Sequence, residues 1–211
     1  FSSVGVEWFE YYNDSKPGNF NLISVGRFVP LKGFDVAIQS YIHFLKNNPK
    51  VLNAKLTLIG SGPSEPYLRE LSKECPKNGE ITFINWMDRG KLAKFYSKSS
   101  VFLFPSHEGA GMVVVEAMSY GLPVICFNNN GPGELIDDKS GIRIPYSDYQ
   151  ETINNFSLAI KSVYFDESLY LFLSKGARDR FKKYTWDEKA LLLKKVYEHV
   201  DEQENYFCSS S

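Results

Sequence analysis

The residues able to do chemistry gather in four short polar loops, each following an apolar run. After Asn21–Val25 come Gly26 and Arg27, with Lys32 and Gly33 a few residues on. After Lys55–Ile59 come Gly60-Ser61-Gly62-Pro63. After Val101–Phe104 and Pro105 come Ser106-His107-Glu108-Gly109-Ala110-Gly111, and after Pro123–Phe127 comes the stretch from Asn128 to Glu134. Arg27 and Lys32 suit a diphosphate, because arginine offers a planar fork of donors and lysine a point charge. Gly109-Ala110-Gly111 leads into a helix, where the free amides of Ala110, Gly111, Met112 and Val113 favour an anion and the small residues let it come close. Glu116 is embedded among Val113, Val114, Val115, Ala117 and Met118, so its carboxylate needs polar partners, and ligand hydroxyls would serve. Taken singly, each feature also has a plainer reading. The cations can be solvated surface charges, the glycine loop a tight connection, and Glu116 a solvent-facing residue. His107 reads as a structural loop histidine rather than a proton-transfer group.

Several familiar chemistries are missing from these loops. There is no G-x-x-x-x-G-K-[ST] phosphate loop, and Val114 stands where a dinucleotide fingerprint needs its third glycine. No H-E-x-x-H or other metal spacing occurs, so no metal is expected. No G-x-S-x-G elbow or paired nucleophilic cysteine is present. The three cysteines, Cys75, Cys126 and Cys208, are widely spaced and contain no C-x-x-C.

The elements that must position these loops alternate strand and helix. Short strands are expected at Asn21–Val25, Lys55–Ile59, Ile81–Ile84, Val101–Phe104, Pro123–Phe127 and Gly141–Ile144. Between the first two, Phe34, Ala37, Ile38, Tyr41, Ile42 and Leu45 recur at helical spacing and stop at Asn47-Asn48-Pro49. Tyr67, Leu68 and Leu71 mark a second helix, and Leu92, Phe95 and Tyr96 a third. A fourth runs from near Gly111 to Tyr120, with Gly121 as its stop. From Gln150 onward the periodicity is helical, with one stripe of Ile153, Phe156, Ile160 and Val163. A second stripe has Leu169, Phe172, Leu173, Ala177 and Phe181, and a third Ala190, Leu193, Tyr197 and Val200. Continuous apolar strands are buried on both faces, which calls for a parallel sheet with helices on either side. The expected fold class is α/β: a doubly wound, Rossmann-like parallel sheet of about six strands with a helical C-terminal portion. In such a sheet the ligand lies beyond the carboxyl ends of the strands, where all four polar loops would meet.

Composition narrows the classes further. The 211 residues carry 24 Lys+Arg and 25 Asp+Glu, a net charge of −1, which argues against nucleic-acid binding and a polybasic membrane surface. With 43% apolar and 15% aromatic residues the chain can bury a sizeable core. No apolar run approaches the ~20 residues of a membrane span. The chain opens on Phe1 rather than Met, with no secretory pattern after it, and is expected to be a piece of a longer protein. Residues 1–20 read as an irregular lead-in, 21–200 as the folded domain and 201–211 as a polar tail.

The run from Glu108 to Val124, Glu-Gly-Ala-Gly-Met-Val-Val-Val-Glu-Ala-Met-Ser-Tyr-Gly-Leu-Pro-Val, is more specific than its parts. It resembles the E-x7-E signature of retaining GT-B glycosyltransferases of family 4. Gly26-Arg27 with Lys32-Gly33 is similar to the companion Arg/Lys motif. Leu58-Ile59-Gly60-Ser61-Gly62-Pro63 is similar to the family's second-strand turn, and Gly131-Pro132-Gly133-Glu134 to its late loop. Ser3-Val4-Gly5-Val6-Glu7 resembles a worn form of its inter-domain hinge, and Tyr184-Thr185-Trp186 its closing helix start. Two departures stand out: Ala110 replaces a common aromatic, and the hinge lacks its usual Asn.

The resemblance implies that residues 21–200 are a nucleotide-sugar donor-binding domain, one half of a GT-B fold. It implies that Arg27 and Lys32, with the amides of Gly111, Met112 and Val113, hold the donor diphosphate, and that Gly26, Gly60, Gly109 and Ala110 belong to the same nucleotide-sugar site. Glu116 would accept hydrogen bonds from the ribose, and Trp86 and Met87 would receive the base. Glu108 would be the catalytic residue, facing the transferred sugar and stabilising positive charge near its anomeric carbon. The donor would be a nucleoside diphosphate sugar, UDP- or GDP-linked, with no other cofactor. The acceptor, a carbohydrate or lipid-linked hydroxyl in polysaccharide or glycolipid synthesis, would be held by an N-terminal domain of the same polypeptide that this chain lacks, so that the chain alone is expected to be inactive. Placement would be cytoplasmic, with room for peripheral contact at the inner membrane face through that missing half. The alternatives are a stand-alone nucleotide-sugar-binding module and a GT-B-fold epimerase.

Overall fold

The computed structural model describes residues 18–109 and 111–185, together with Glu188, Ala190 and Lys194. The expected hinge at Ser3–Glu7, Trp186, the stripe beyond Ala190 and the tail 201–211 lie outside the described residues. The chain runs β1 (Phe20–Val25), α1 (Phe34–Asn47), β2 (Ala54–Ile59), α2 (Glu65–Ser72), β3 (Gly79–Ile84) and α3 (Arg89–Tyr96). It continues with β4 (Val101–Phe104), α4 (Met112–Ser119), β5 (Val124–Phe127), α5 (Pro132–Leu135), β6 (Gly141–Ile144), α6 (Tyr149–Phe165) and α7 (Glu167–Lys182). A 3-10 turn, Pro30–Lys32, precedes α1.

All the strands are parallel and lie in the order β3-β2-β1-β4-β5-β6. The order reverses at β1 and β4, so the exits of those two strands diverge and leave a crevice between them. Leu22 lies in register with Leu56 on one side and Val101 on the other, which places the most apolar strands at the centre. Ser100 ties this centre at its amino end, its N–H donating to the Asn21 carbonyl at 2.7 Å.

Two separate cores follow from the alternation of side chains along each strand. Leu22, Leu56, Leu58, Leu103 and Ile125 meet α1 and α6 on one face, with Phe44, Phe156 and Ile160 buried between them. Ile23, Val25, Phe102, Phe104, Val124 and Cys126 meet α3 and α4 on the other, around Val114 and Met118. Helix α7 serves both: Tyr170 and Leu173 join the first core, Ala177 and Phe181 the second.

The expected strands and helices form within one or two residues of their expected ends, with three differences. β3 is an edge strand, half-buried along its length rather than covered on both faces. Tyr67 is 55% exposed, so α2 packs through buried Leu68 and half-buried Leu71. Phe172 is 52% exposed, because the buried stripe of α7 runs through Tyr170, Leu173, Ala177 and Phe181, and Phe172 points off it.

At the strand exits the loops press on one another. Gly60, at φ +153°, has an ideal Cβ position 1.8 Å from the Gly26 carbonyl oxygen, so only glycine allows the β1 and β2 exits to touch there. Gly26 donates to the Ile59 carbonyl at 3.0 Å, Gly60 to that of Ile84 at 2.9 Å, and Phe28 to that of Ser61 at 2.9 Å. The first three strand exits are thereby laced together.

Candidate functional site

The loop after β1 is turned across the crevice toward the loop after β4. Gly33 adopts φ +62°, and a Cβ there would fall 2.0 Å from the Pro105 carbonyl oxygen, so the chain passes directly against β4's exit. The Leu31 carbonyl then accepts from the His107 amide at 2.9 Å and from the Ser106 hydroxyl at 3.4 Å. This crossing brings Lys32 to Glu108: Lys32 Nζ donates to Glu108 Oε2 as an ion pair, with side chains 19% and 20% exposed. Lys32 also lies 5.7 Å from the Phe104 ring centroid, within cation–π range.

The β4 loop is held from its other side by the loop after β5. Asn129 Nδ2 donates to the Ser106 carbonyl at 3.0 Å, while its Oδ1 accepts from the Gly133 amide at 3.0 Å. His107 stacks on Tyr146 at 5.2 Å and lies 4.5 Å from Phe127, which favours its reading as a structural loop histidine. Glu108 is thus carried on a loop pinned at both ends.

Helix α4 starts immediately after this loop. Its N-cap is Gly111, which has no side chain to cap it, and the amides of Met112 and Val113 donate to no group among the described residues. The helix dipole adds partial positive charge at that end. Gly111 is buried, Met112 exposed and Val113 half-buried; Gly109 is exposed, and Ala110 lies outside the described residues. Arg27 is exposed, and its side chain pairs with nothing among the described residues.

One turn into α4, Glu116 is only 13% exposed. It is not solvent-facing: Arg89 Nη2, from the first residue of α3, lies 3.2 Å from its Oε1. Burial pushes the Glu116 carboxyl above the usual carboxylate range, and the Arg89 guanidinium pulls it part of the way back. Tyr96 and Tyr120, stacked at 5.4 Å, are the neighbouring phenols, and both hydroxyls are pushed up by their own burial and by the nearby Glu116 charge. Met87, half-buried, packs against the second core just before α3, and Trp86 is 68% exposed beside it.

Of the expected residues, the structure joins Lys32 to Glu108 and sets the start of α4 between Glu108 and Glu116. Gly26 and Gly60 form the neighbouring floor. Arg89, Asn129 and the Leu31 carbonyl were not singled out from the sequence. Arg89 carried the weak signal of a cation just after an Asp N-cap, Asn129 that of its place in the polar loop after β5, and the Leu31 carbonyl none. Among the described residues no group of three His, Cys, Asp or Glu side chains converges as a metal cage, and no helix is long and apolar enough to cross a membrane.

The family model for glycosyl transferases, group 1, matches residues 12–184. An uncharacterized glycosyltransferase of Haemophilus influenzae is 30% identical over 167 residues, covering 78% of this chain and 45% of that protein. The chain spans about half the length of the curated relatives it matches. The pneumococcal O-GlcNAc transferase, solved with UDP and GlcNAc, superposes with a TM-score of 0.72 at 24% identity, covering 88% of this chain and 36% of that one. The C-terminal domain of a group 1 glycosyl transferase from Francisella tularensis superposes with a TM-score of 0.67 at 23% identity, covering 81% and 88% respectively. These two likenesses are of fold.

Proposed function

The chain belongs to the glycosyl transferases of group 1, and from that premise we propose that it is the C-terminal, donor-binding half of a retaining GT-B enzyme of family 4. The observation that carries this reading is the meeting of a cation, two carboxylates and an uncapped helix start along one crevice: Lys32, Glu108, the α4 amides and Glu116. The combination matches the parts of a nucleoside diphosphate sugar in order. The amides of Met112 and Val113, with Lys32 and Arg27, take the diphosphate. Glu116 accepts from the ribose hydroxyls, and the exit of β3 near Trp86 and Met87 receives the base. UDP is the first candidate, since the pneumococcal O-GlcNAc transferase holds it; GDP is the second.

The reaction breaks the bond between the anomeric carbon and the β-phosphate oxygen, and the electron pair leaves with the diphosphate. The acceptor oxygen bonds to the same face of that carbon and gives its proton to the leaving phosphate. Lys32, Arg27 and the start of α4 stabilise the developing negative charge. Glu108 holds the sugar hydroxyls and stabilises positive charge at the anomeric carbon without forming a bond to it. The acceptor is held by a further domain of the same polypeptide, upstream of this one.

Calorimetric titration of the chain with UDP, GDP, ADP and their sugars tests the reading. At least one should bind; Glu116→Ala should weaken the nucleotide, and Glu108→Ala should erode discrimination between sugars. If none binds while circular dichroism shows the α/β fold intact, the donor-site assignment fails.

A further inference from the structure

Glu116 cannot present a defined carboxylate unaided. Its helix is apolar, its side chain is 13% exposed, and burial favours its neutral form. A neutral carboxyl has given up one acceptor site for an O–H donor, and an unheld one can rotate away from a ligand. Among the described residues few charged groups on the elements packed against α4 face it, and α5 carries only Glu134, which is exposed. α3 contributes Arg89 and the Tyr96 hydroxyl, and the end of α4 contributes Tyr120. α7, also packed on α4, brings Arg178 against Gly121, beyond the helix end. The Tyr96 hydroxyl is buried and has no hydrogen-bond partner, so it does not hold Glu116. Among the described residues Arg89 is the one cation paired with the carboxylate, its Nη2 3.2 Å from Oε1, and its backbone is steadied by Asp88, whose Oδ1 caps α3 by accepting from the Lys91 amide at 2.9 Å.

We infer that Arg89 is a positioning residue for the nucleotide: it holds the Glu116 carboxylate charged and fixed through Oε1, leaving Oε2 to the ribose hydroxyls. The inference rests on the reading of Glu116 as the ribose acceptor. Arg89 is 64% exposed at the first position of α3, so replacing it leaves both cores untouched. The ionised carboxylate is the form that accepts from hydroxyls. Removing the guanidinium raises the pH at which that form appears, so the loss of affinity must deepen as pH falls.

The test is calorimetry on the 211-residue chain with UDP, GDP and inorganic pyrophosphate at about pH 6, 7 and 8, read as the variant-to-wild-type ratio so that titration of the ligand cancels. Arg89→Ala should weaken the better-binding nucleotide about tenfold at the lowest pH, and by less at the highest. Pyrophosphate, which has no ribose, should bind unchanged. Arg89→Lys should recover most of the loss. If Glu116→Ala weakens the nucleotide but Arg89→Ala does not, or does so equally at every pH, the positioning role is overturned while the ribose site stands. If Glu116→Ala has no effect, or no probe binds wild type, the donor-site reading fails and this inference with it.

Discussion

Glu108→Gln isolates what the ion pair with Lys32 does to the anion site. In the structure a diphosphate approaching Lys32 must compete with the Glu108 carboxylate for the same ammonium. Two unit charges at ~4 Å attract by about 4 kcal/mol at an effective dielectric of ~20. Each side chain keeps about a fifth of its surface in water, and desolvation opposes the attraction, which leaves a net coupling of roughly 1–2 kcal/mol. Replacing the carboxylate with an isosteric amide releases that coupling to the incoming anion. Affinity for inorganic pyrophosphate should therefore rise by ~5–30-fold, the factor that 1–2 kcal/mol supplies. The assay is titration calorimetry with pyrophosphate, paired with urea unfolding to show that the variant still folds. A double-mutant cycle with Lys32→Gln sharpens it, because without Lys32 the gain from Glu108→Gln should shrink to the repulsion that the carboxylate alone exerts. An unchanged or weakened pyrophosphate affinity in a folded Glu108→Gln protein would refute the competition.

Gly60→Ala should destabilise the protein by at least ~1–3 kcal/mol, because the added Cβ meets the Gly26 carbonyl and φ +153° suits glycine alone; a thermal midpoint within a degree or so of wild type would contradict the lacing of the strand exits. Glu116→Gln should leave the thermal midpoint at neutral pH unchanged or raise it. The folded pKa of Glu116 lies above its unfolded value, so ionising it costs stability as pH rises through that window, and the neutral amide removes the cost; a clear fall in the midpoint, measured by calorimetric scanning, would show that the Arg89 pair outweighs burial.

What could be read from the sequence depended on how local its cause is. The β4 strand is bounded by Ser100 and Pro105 and buried at every position, so its apolar run and its observed limits coincide at Val101–Phe104. The α1 stripe, from Phe34 to Leu45, is wholly buried because six residues at helical spacing can face only one way. The start of α4 and the depth of Glu116 were legible from the valines around them. The pairing of Arg89 with Glu116 was not, because it depends on α3 and α4 lying side by side on one face of the sheet, a consequence of topology rather than spacing. The same holds for Asn129, which reaches the Ser106 carbonyl only because β4 and β5 are neighbours. Phe172 misled for the opposite reason: an apolar residue one step off a stripe is counted in a sequence but left outside by the geometry of the helix.

The division of labour among α1, α6 and α7 bears on the order in which the chain can complete itself during synthesis. α1 ends at Asn47, yet its cover, α6, begins only at Tyr149. About a hundred residues must be added in between, on the order of ten seconds at ~5–20 residues per second. Throughout that interval the face of α1 that will meet Phe156 and Ile160 has no partner from its own chain. α7, the one helix contributing to both cores, emerges last of the elements described. A ribosome-bound chain that stops before Glu167 therefore holds the whole sheet and every loop of the anion site, yet neither core is closed.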